Sequence, residues 1–424
     1  MTSDETADVP APAGMSRRGV LSGALLAGLG GVAAGGGAAT AWAMSSREPA
    51  HDEVDLSVSY PYYGQGHQGG VATPPQRHTV FMTFRCADSA DRHALQMLLA
   101  RWSAAAAVLQ QGKPIGAVQP NSDVQPPVDT GEAFGLSPAS LTVTIGLGPA
   151  LFTDRFGLTS FKPEVFDALP TLNGDYLRPE LTGGDLSVQA CADDPQVCYH
   201  AVRNLARLGR GTVYPFWAVL GFGRASAGPG QLTPRNLLGF KDGTRNISTD
   251  ADYDEFVWVS GSDQPWMDGG TYQVARKIRM LMETWDTDRV GNQQRILGRL
   301  KESGAPLTGE TETDTPDFAA HDADGQPVID PRAHIALAAH ENNNGIMIRR
   351  RSYNYTDGLD ANGQLNAGLL FLSYQNDPAH FITIQNRIGA HDLLNEYIRH
   401  IGSAVFAVPP APDEGHYLAQ PLFG

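Results

Sequence analysis

Three stretches of this chain hold residue types that can pass protons, ligate a metal or stabilise charge. In Gly239-Phe240-Lys241-Asp242-Gly243 an aspartate stands before a glycine, directly after an apolar run, and Arg245 follows two residues on. An Asp-Gly step is a strong turn signal, because both residues tolerate the left-handed backbone that a tight turn requires. The second stretch, HIALAAHENNNGIMIRRRSYNY, begins at His334, places His340 six residues later and runs into Arg349, Arg350 and Arg351. A histidine beside an apolar, helix-like run is a satisfied core residue more often than a metal ligand. Arginines that follow one another along a strand alternate between its two faces, so at least one of the three points inward. A buried guanidinium needs an anion, which a carboxylate or a cofactor can supply. The third stretch, LLNEYIRHIGSAVF, carries Glu396.

Composition bounds what such groups can serve. At 424 residues the chain is long enough for two domains of ordinary size, and with 42% apolar and 18% charged residues it has globular composition. A net charge of -15 excludes nucleic acid as a natural partner, since phosphate binding needs clustered Lys and Arg. Three cysteines are too few for a disulfide framework; Cys191 and Cys198 are close enough to bridge, or are small buried fillers. No Cys-x-x-Cys-His is present, which excludes covalently attached haem, and no Cys/His set has zinc spacing.

Residues 1–43 read as an address label. Ser16-Arg17-Arg18 precedes the uncharged, Gly- and Ala-rich residues 19–43, which end in the small-x-small pattern Ala41-Trp42-Ala43. Paired arginines point to the twin-arginine export machinery, with no permanent membrane anchor and a final location outside the cytoplasm. That route carries folded proteins, often with a cofactor already inside. Residues 44–76 read as a linker.

The elements that must position the candidate residues follow from periodicity. Val80, Met82, Phe84 and Cys86 alternate as a strand, and Leu95, Leu98, Leu99 and Trp102 form a helical stripe with Asp88 or Ser89 available as cap. Strands follow at residues 141–147 and 186–190. Asp194-Pro195 opens a helix that Leu208-Gly209 closes, and a fourth strand covers 213–222. The order β-α-β-β-α-β is ferredoxin-like. From about residue 231 the theme repeats, with strands expected at 256–259, 272–282, 346–355, 369–374 and 405–408 and helices at 289–301 and 392–400. Residues 303–333 read as a long functional loop. The fold class expected is therefore α+β, two ferredoxin-like domains with antiparallel sheets, over 77–230 and 231–424.

Taken in order, the paired arginines, GFKDGT, RMLMETWD, RILGRLKESGAPLTG, HIALA, RRRSYNYTDG and GLLFLSYQND resemble the dye-decolorising peroxidases, in particular the exported branch that includes deferrochelatase/peroxidases. The resemblance runs from about residue 80 to 409. It implies two ferredoxin-like domains with haem b in the C-terminal one, and hydrogen peroxide and a bulky aromatic or phenolic reductant as partners. Carried over by position, Asp242 is the distal acid/base, Arg350 the distal cation and His334 the axial iron ligand. Arg349 remains the alternative to Arg350, because three arginines stand where the family has two. Glu396 is expected to accept the other ring N–H of His334, and Arg299 to meet a haem propionate. Gly239 and Gly243 would let the backbone pass close to the macrocycle. The sequence departs from the family in His334-Ile335-Ala336, where His-x-Arg is usual, and at His340, a rival ligand.

The chemistry implied is heterolytic cleavage of peroxide. It needs a base that takes a proton from one oxygen and returns it to the other, a fixed cation beside the departing oxygen, and an electron-rich axial imidazole. A carboxylate base in place of a histidine implies activity shifted toward acid pH. Two other functions fit the same residues less fully: a haem-binding protein for iron extraction or transport, with little turnover, and a secreted adaptor without cofactor.

Overall fold

In the computed structural model, which describes residues 54–223 and 233–424, the alternating Val80, Met82, Phe84 and Cys86 lie on β1 (His78–Cys86). The helical stripe becomes α1 (Arg92–Leu109), capped by Asp91, whose carboxylate accepts the Ala94 N–H, rather than by Asp88 or Ser89. Next come β2 (Thr142–Leu147) and β3 (Leu186–Ala192). The helix α2 (Pro195–Leu208) has Asp194 as cap, Pro195 in its first turn and Gly209 at its end, as the sequence predicts, and β4 (Val213–Phe222) follows. These strands pair antiparallel in the order β2-β3-β1-β4, the ferredoxin-like arrangement.

The second half begins with α3 (Asp250–Phe256), β5 (Thr271–Met280), α4 (Met282–Asp286) and α5 (Val290–Leu297). Among the described residues no helix or strand then intervenes until α6 (His334–Ala338), so 303–333 is the long loop expected. The chain continues through β6 (Arg349–Arg350), β7 (Tyr353–Leu359), β8 (Leu365–Gln375), α7 (Pro378–His391) and β9 (Ile398–Val408). The pairing order β9-β5-β8-β7 repeats that of the first half, with β6 also on β8. A few edge pairs join the two sets, Leu147 with Ala407 at one edge and Gly221 with Tyr355 and Phe222 with Asn354 at the other. The eight longer strands thereby close on themselves. Phe81, Trp217 and Val219 meet Ala275, Leu370, Leu372 and Phe406 in a shared apolar cluster.

Several local expectations give way to tertiary packing. Residues 256–259 are not a strand: Phe256 ends α3, which Thr249 caps, and Trp258 and Val259 are buried without a ladder. Residues 392–400 are not a helix. Asp392 caps a single 3-10 turn over Leu393–Glu396, and from Ile398 the chain joins β5, because pairing Met280 with Ile398 covers the same apolar side chains. The helix expected over 289–301 stops at Leu297, where Gly298 turns with φ 78°. The strand expected over 346–355 divides at Arg351 and Ser352. The helix α7 was not anticipated, although Asp377-Pro378 carries the same start signal as Asp194-Pro195.

The segment expected as a linker is packed where it is described. Gln68 accepts the Ile145 N–H at 2.8 Å and donates to the carbonyls of Ile145 and Pro409. His67 stacks on Trp258 at 3.7 Å. All three cysteines are buried and free, so Cys191 and Cys198 do not bridge. The signal-peptide reading falls on residues 1–43, outside the described residues. Among the described residues no helix is long and apolar enough to cross a membrane.

Candidate functional site

The Asp242 loop is folded back on itself. Arg235 and Lys241 form an antiparallel bridge, and the Asp242 N–H donates to the Pro234 carbonyl at 2.8 Å. Gly239 and Gly243 have φ of 84° and 133°, values that a side chain would strain. The base of the loop is tied by an ion pair from Lys241 to Glu312, which also accepts the Thr244 hydroxyl at 2.9 Å. The three arginines of the expected strand separate as the alternation requires. Arg350 turns toward Asp242, its Nη1 4.0 Å from Asp242 Oδ1 and its Nη2 donating to the Thr244 carbonyl at 2.8 Å. Asn246 locks the register, with Oδ1 accepting the Arg350 N–H and Nδ2 donating to the Arg350 carbonyl. Arg349 instead donates to the Ile247 carbonyl and lies over Tyr253, and Arg351 donates to the carbonyls of Thr73 and Pro74.

His334 opens α6, and its Nδ1 is 2.6 Å from Asp392 Oδ2. Asp392 is fully buried and is itself fixed, Oδ1 accepting the Leu394 N–H at 2.8 Å. This corrects the expectation for Glu396, which is exposed at the end of the same short turn. The resemblance pointed to Glu396, but the capping turn presents Asp392 instead. Its signal in the sequence was that of a helix cap, which draws attention to the backbone and away from the histidine. Burial opposes protonation of His334, but Asp392 outweighs it through charge and hydrogen bond; Arg350 lowers and Asp242 raises the imidazole pKa further, for a net upward shift. With Nδ1 committed to a carboxylate, Nε2 is the nitrogen left for a metal.

These side chains border one cavity that is continuous with solvent. Asp242, Gly243, Arg299, His334 and Arg350 line it, and His340 does too. Gly239 does not line it. A Cβ on Gly239 would stand 2.9 Å from Lys301 Cε, so that glycine serves the loop and not a macrocycle. The walls are largely apolar, with Leu238, Phe240, Ile278, Met280, Leu394, Phe371, Phe381 and Ile384 among the lining side chains. Arg299 donates to the carbonyls of Gly304 and Glu312, and burial pushes its pKa down to about 10, with Glu312 opposing and Arg245 and Arg350 adding to the shift. Gln385 Nε2 and both ring nitrogens of His400, all bordering the cavity, are buried without a partner. An apolar slot with one oriented imidazole and cations at its rim suits a flat apolar macrocycle with anionic substituents, and haem is such a group.

Comparison with known proteins decides the lineage. The family model described as Dyp-type peroxidase, N-terminal, matches residues 68–223, and the model described as Dyp-type peroxidase, C-terminal, matches residues 233–413. The chain belongs to the DyP-type peroxidase family. It is 42% identical over 296 residues to the dye-decolorizing peroxidase of Thermobifida fusca, covering 68% of each chain. It is 38% identical over 419 residues to the deferrochelatase of Yersinia pseudotuberculosis, covering 95% of this chain and 92% of that one. Among solved structures, the DyP-type peroxidase from Streptomyces coelicolor superposes with a TM-score of 0.81 at 37% identity, over 87% of this chain and 98% of that one. The DyP-type peroxidase from Cellulomonas bogoriensis gives 0.79 at 36% identity with the same coverage. A DyP-type peroxidase is a haem-binding oxidoreductase that acts on peroxide, which agrees with the slot described above. The expected fold of two ferredoxin-like domains is the DyP-type fold.

Proposed function

We propose that His334 would hold the iron of haem b through Nε2, and that Asp242 and Arg350 would handle hydrogen peroxide in the same cavity. The observation that carries this reading is one cavity with an Asp392-held imidazole and an Asp242–Arg350 pair at 4.0 Å, all four groups coupled electrostatically. Haem b, when bound, supplies an iron centre that reduces peroxide and then draws electrons from a reductant. Asp242 takes a proton from one peroxide oxygen through its carboxylate and returns it to the other. Arg350, fixed by Asn246 and Thr244, keeps a permanent positive charge where negative charge builds on the departing oxygen. Asp392 holds the Nδ1 proton of His334 and raises the basicity of Nε2. Arg299, a buried lining residue of the cavity, is the candidate partner for a propionate.

The reductants proposed are dyes, phenols and other bulky aromatic molecules, in line with the name of the Thermobifida relative. The place of action proposed is outside the cytoplasm, reached by the twin-arginine route that Ser16-Arg17-Arg18 suggests. Replacing Arg350 with Leu tests the catalytic assignment: haem uptake should persist while the reaction with peroxide slows sharply, and an unchanged rate would remove Arg350 from the mechanism. A second reading, release of iron from haem, draws support from the deferrochelatase name of relatives that match 95% of the chain. Incubation with haem and a reductant distinguishes it, because iron release would leave fluorescent metal-free porphyrin.

A further inference from the structure

The long loop between α5 and α6 reaches back to the site through Glu312. A turn tied by Asp314 presents that residue: Asp314 Oδ2 accepts the N–H groups of Glu310 and Thr311 at 2.7 and 2.9 Å, and Oδ1 accepts the Thr311 hydroxyl at 2.6 Å. The largely buried Glu312 carboxylate meets both arms of the Asp242 loop. Oε2 takes the Lys241 ammonium, Oε1 accepts the Thr244 hydroxyl at 2.9 Å, and the Thr233 hydroxyl donates to the same group. Burial opposes its ionisation, but these partners outweigh burial and hold its pKa below the ordinary carboxylate value, so it remains an anion. Lys241 is confined along its stem as well: Gly304 of the same loop, at φ 79°, lies so close that a Cβ there would stand 2.7 Å from Lys241 Cδ.

Lys241 and Thr244 bracket Asp242 and Gly243 in the chain. A glycine leaves the backbone more conformations than any other residue, so anchors on both sides are what confine the Asp242 side chain to one place. The Thr244 carbonyl also accepts Arg350 Nη2 at 2.8 Å, so the same anchors place the acceptor that aims the guanidinium. At its backbone, the Glu312 carbonyl accepts Arg299 Nη1 at 3.1 Å. One residue thereby touches the supports of Asp242, Arg350 and Arg299 without itself lining the cavity. By contrast, the other ion pair of this loop, Arg295 with Asp330 at 2.7 Å, ties it to α5 at the surface.

We propose that Glu312 is a positioning residue for peroxide handling: by clamping Lys241 and Thr244, its carboxylate holds the Asp242 carboxylate and the Arg350 guanidinium in the arrangement their joint action requires. A carboxylate suits this task because it offers an oxygen to each donor. An amide has one oxygen, and its NH2 group would face whichever of Lys241 and Thr244 that oxygen does not serve. The peroxide role rests on the reading of Asp242 and Arg350 above, whereas the clamp does not.

Two measurements on the full chain test the clamp and its consequence separately. In hydrogen exchange read by mass spectrometry, with and without haem, residues 239–246 should exchange faster in Glu312→Gln, less so in Thr244→Val, and at the wild-type rate in Asp330→Asn. In the ferric haem protein, fluoride added as an iron ligand reports the donors and charge around it. Its charge-transfer band should move in Glu312→Gln in the direction it moves in Arg350→Leu and stay in place in Asp330→Asn, and the reaction of Glu312→Gln with peroxide should slow by up to about a hundredfold. Wild-type exchange over 239–246 in Glu312→Gln would overturn the clamp. Faster exchange with an unmoved fluoride band would overturn the positioning role. A fluoride band that ignores Arg350→Leu would count against the peroxide reading of Arg350 instead, and the exchange result would still decide the clamp.

Discussion

Asp392 and Glu396 stand four residues apart and make opposite predictions. Asp392 holds His334 Nδ1 at 2.6 Å from a fully buried position, while Glu396 faces solvent. Asp392→Asn should therefore reduce haem affinity or peroxide turnover by about tenfold to a hundredfold, the usual cost of losing such an outer partner. Glu396→Gln should leave both unchanged. Titration of apoprotein with haemin, followed by steady-state assay, measures the contrast. Arg350→Leu should slow the reaction with peroxide by about a hundredfold to a thousandfold, as loss of one preorganised charge-stabilising donor does, with the Soret band retained. At this scale the sequence was informative wherever a motif carried the residue. Asp242, His334 and Arg350 line one cavity, and the alternation of strand faces separates Arg350 from Arg349 and Arg351. Asp392 was hidden because its partner is 58 residues away and its local pattern is that of a helix cap.

The elements explain why these residues meet. Strands and helices with complete local signals came through intact, as α2 shows with its Asp194 cap, Pro195 and Gly209. Asp194→Ala should cost about 1 kcal/mol of stability by denaturant titration, the usual value of a helix cap. Elements whose patterns were ambiguous yielded to pairing or packing, as at 256–259 and 392–400, where apolar residues suited more than one secondary structure. A second element prediction concerns the loop before β2. Asp129 is fully buried and accepts from His200 Nε2 at 2.8 Å and from the backbone N–H groups of Gly131 and Ile115. Burial would raise its pKa, but these partners outweigh burial and hold it below the ordinary carboxylate value. Folded Asp129 thus binds its proton less readily than the unfolded chain does. Its contribution to stability is complete above the unfolded value of about 3.9 and is lost as pH falls through the lower folded value. The melting temperatures of the wild type and Asp129→Asn should differ near neutrality and converge in acid; a constant difference across that range would contradict the assignment.

Over the whole molecule, the same antiparallel order appears twice, β2-β3-β1-β4 and β7-β8-β5-β9, yet every residue lining the cavity lies between Asn236 and His400. The topological repeat was legible from element order, whereas the closure of the two sheets depends on a few edge pairs that no local pattern announces. The segment before β1 strengthens that closure, since Gln68 bonds to Ile145 in the first half and Pro409 in the second. Gln68→Ala would leave these buried backbone groups unpaired and should cost about 1–3 kcal/mol per unsatisfied group, read as a lower melting temperature with an unshifted Soret band. The central claim, that His334 carries the iron although His340 borders the same cavity, is tested most directly by resonance Raman spectroscopy of the ferrous haem protein. The iron–histidine stretching band should vanish in His334→Ala and persist in His340→Ala. A band that survives loss of His334, or disappears with His340, would contradict the account.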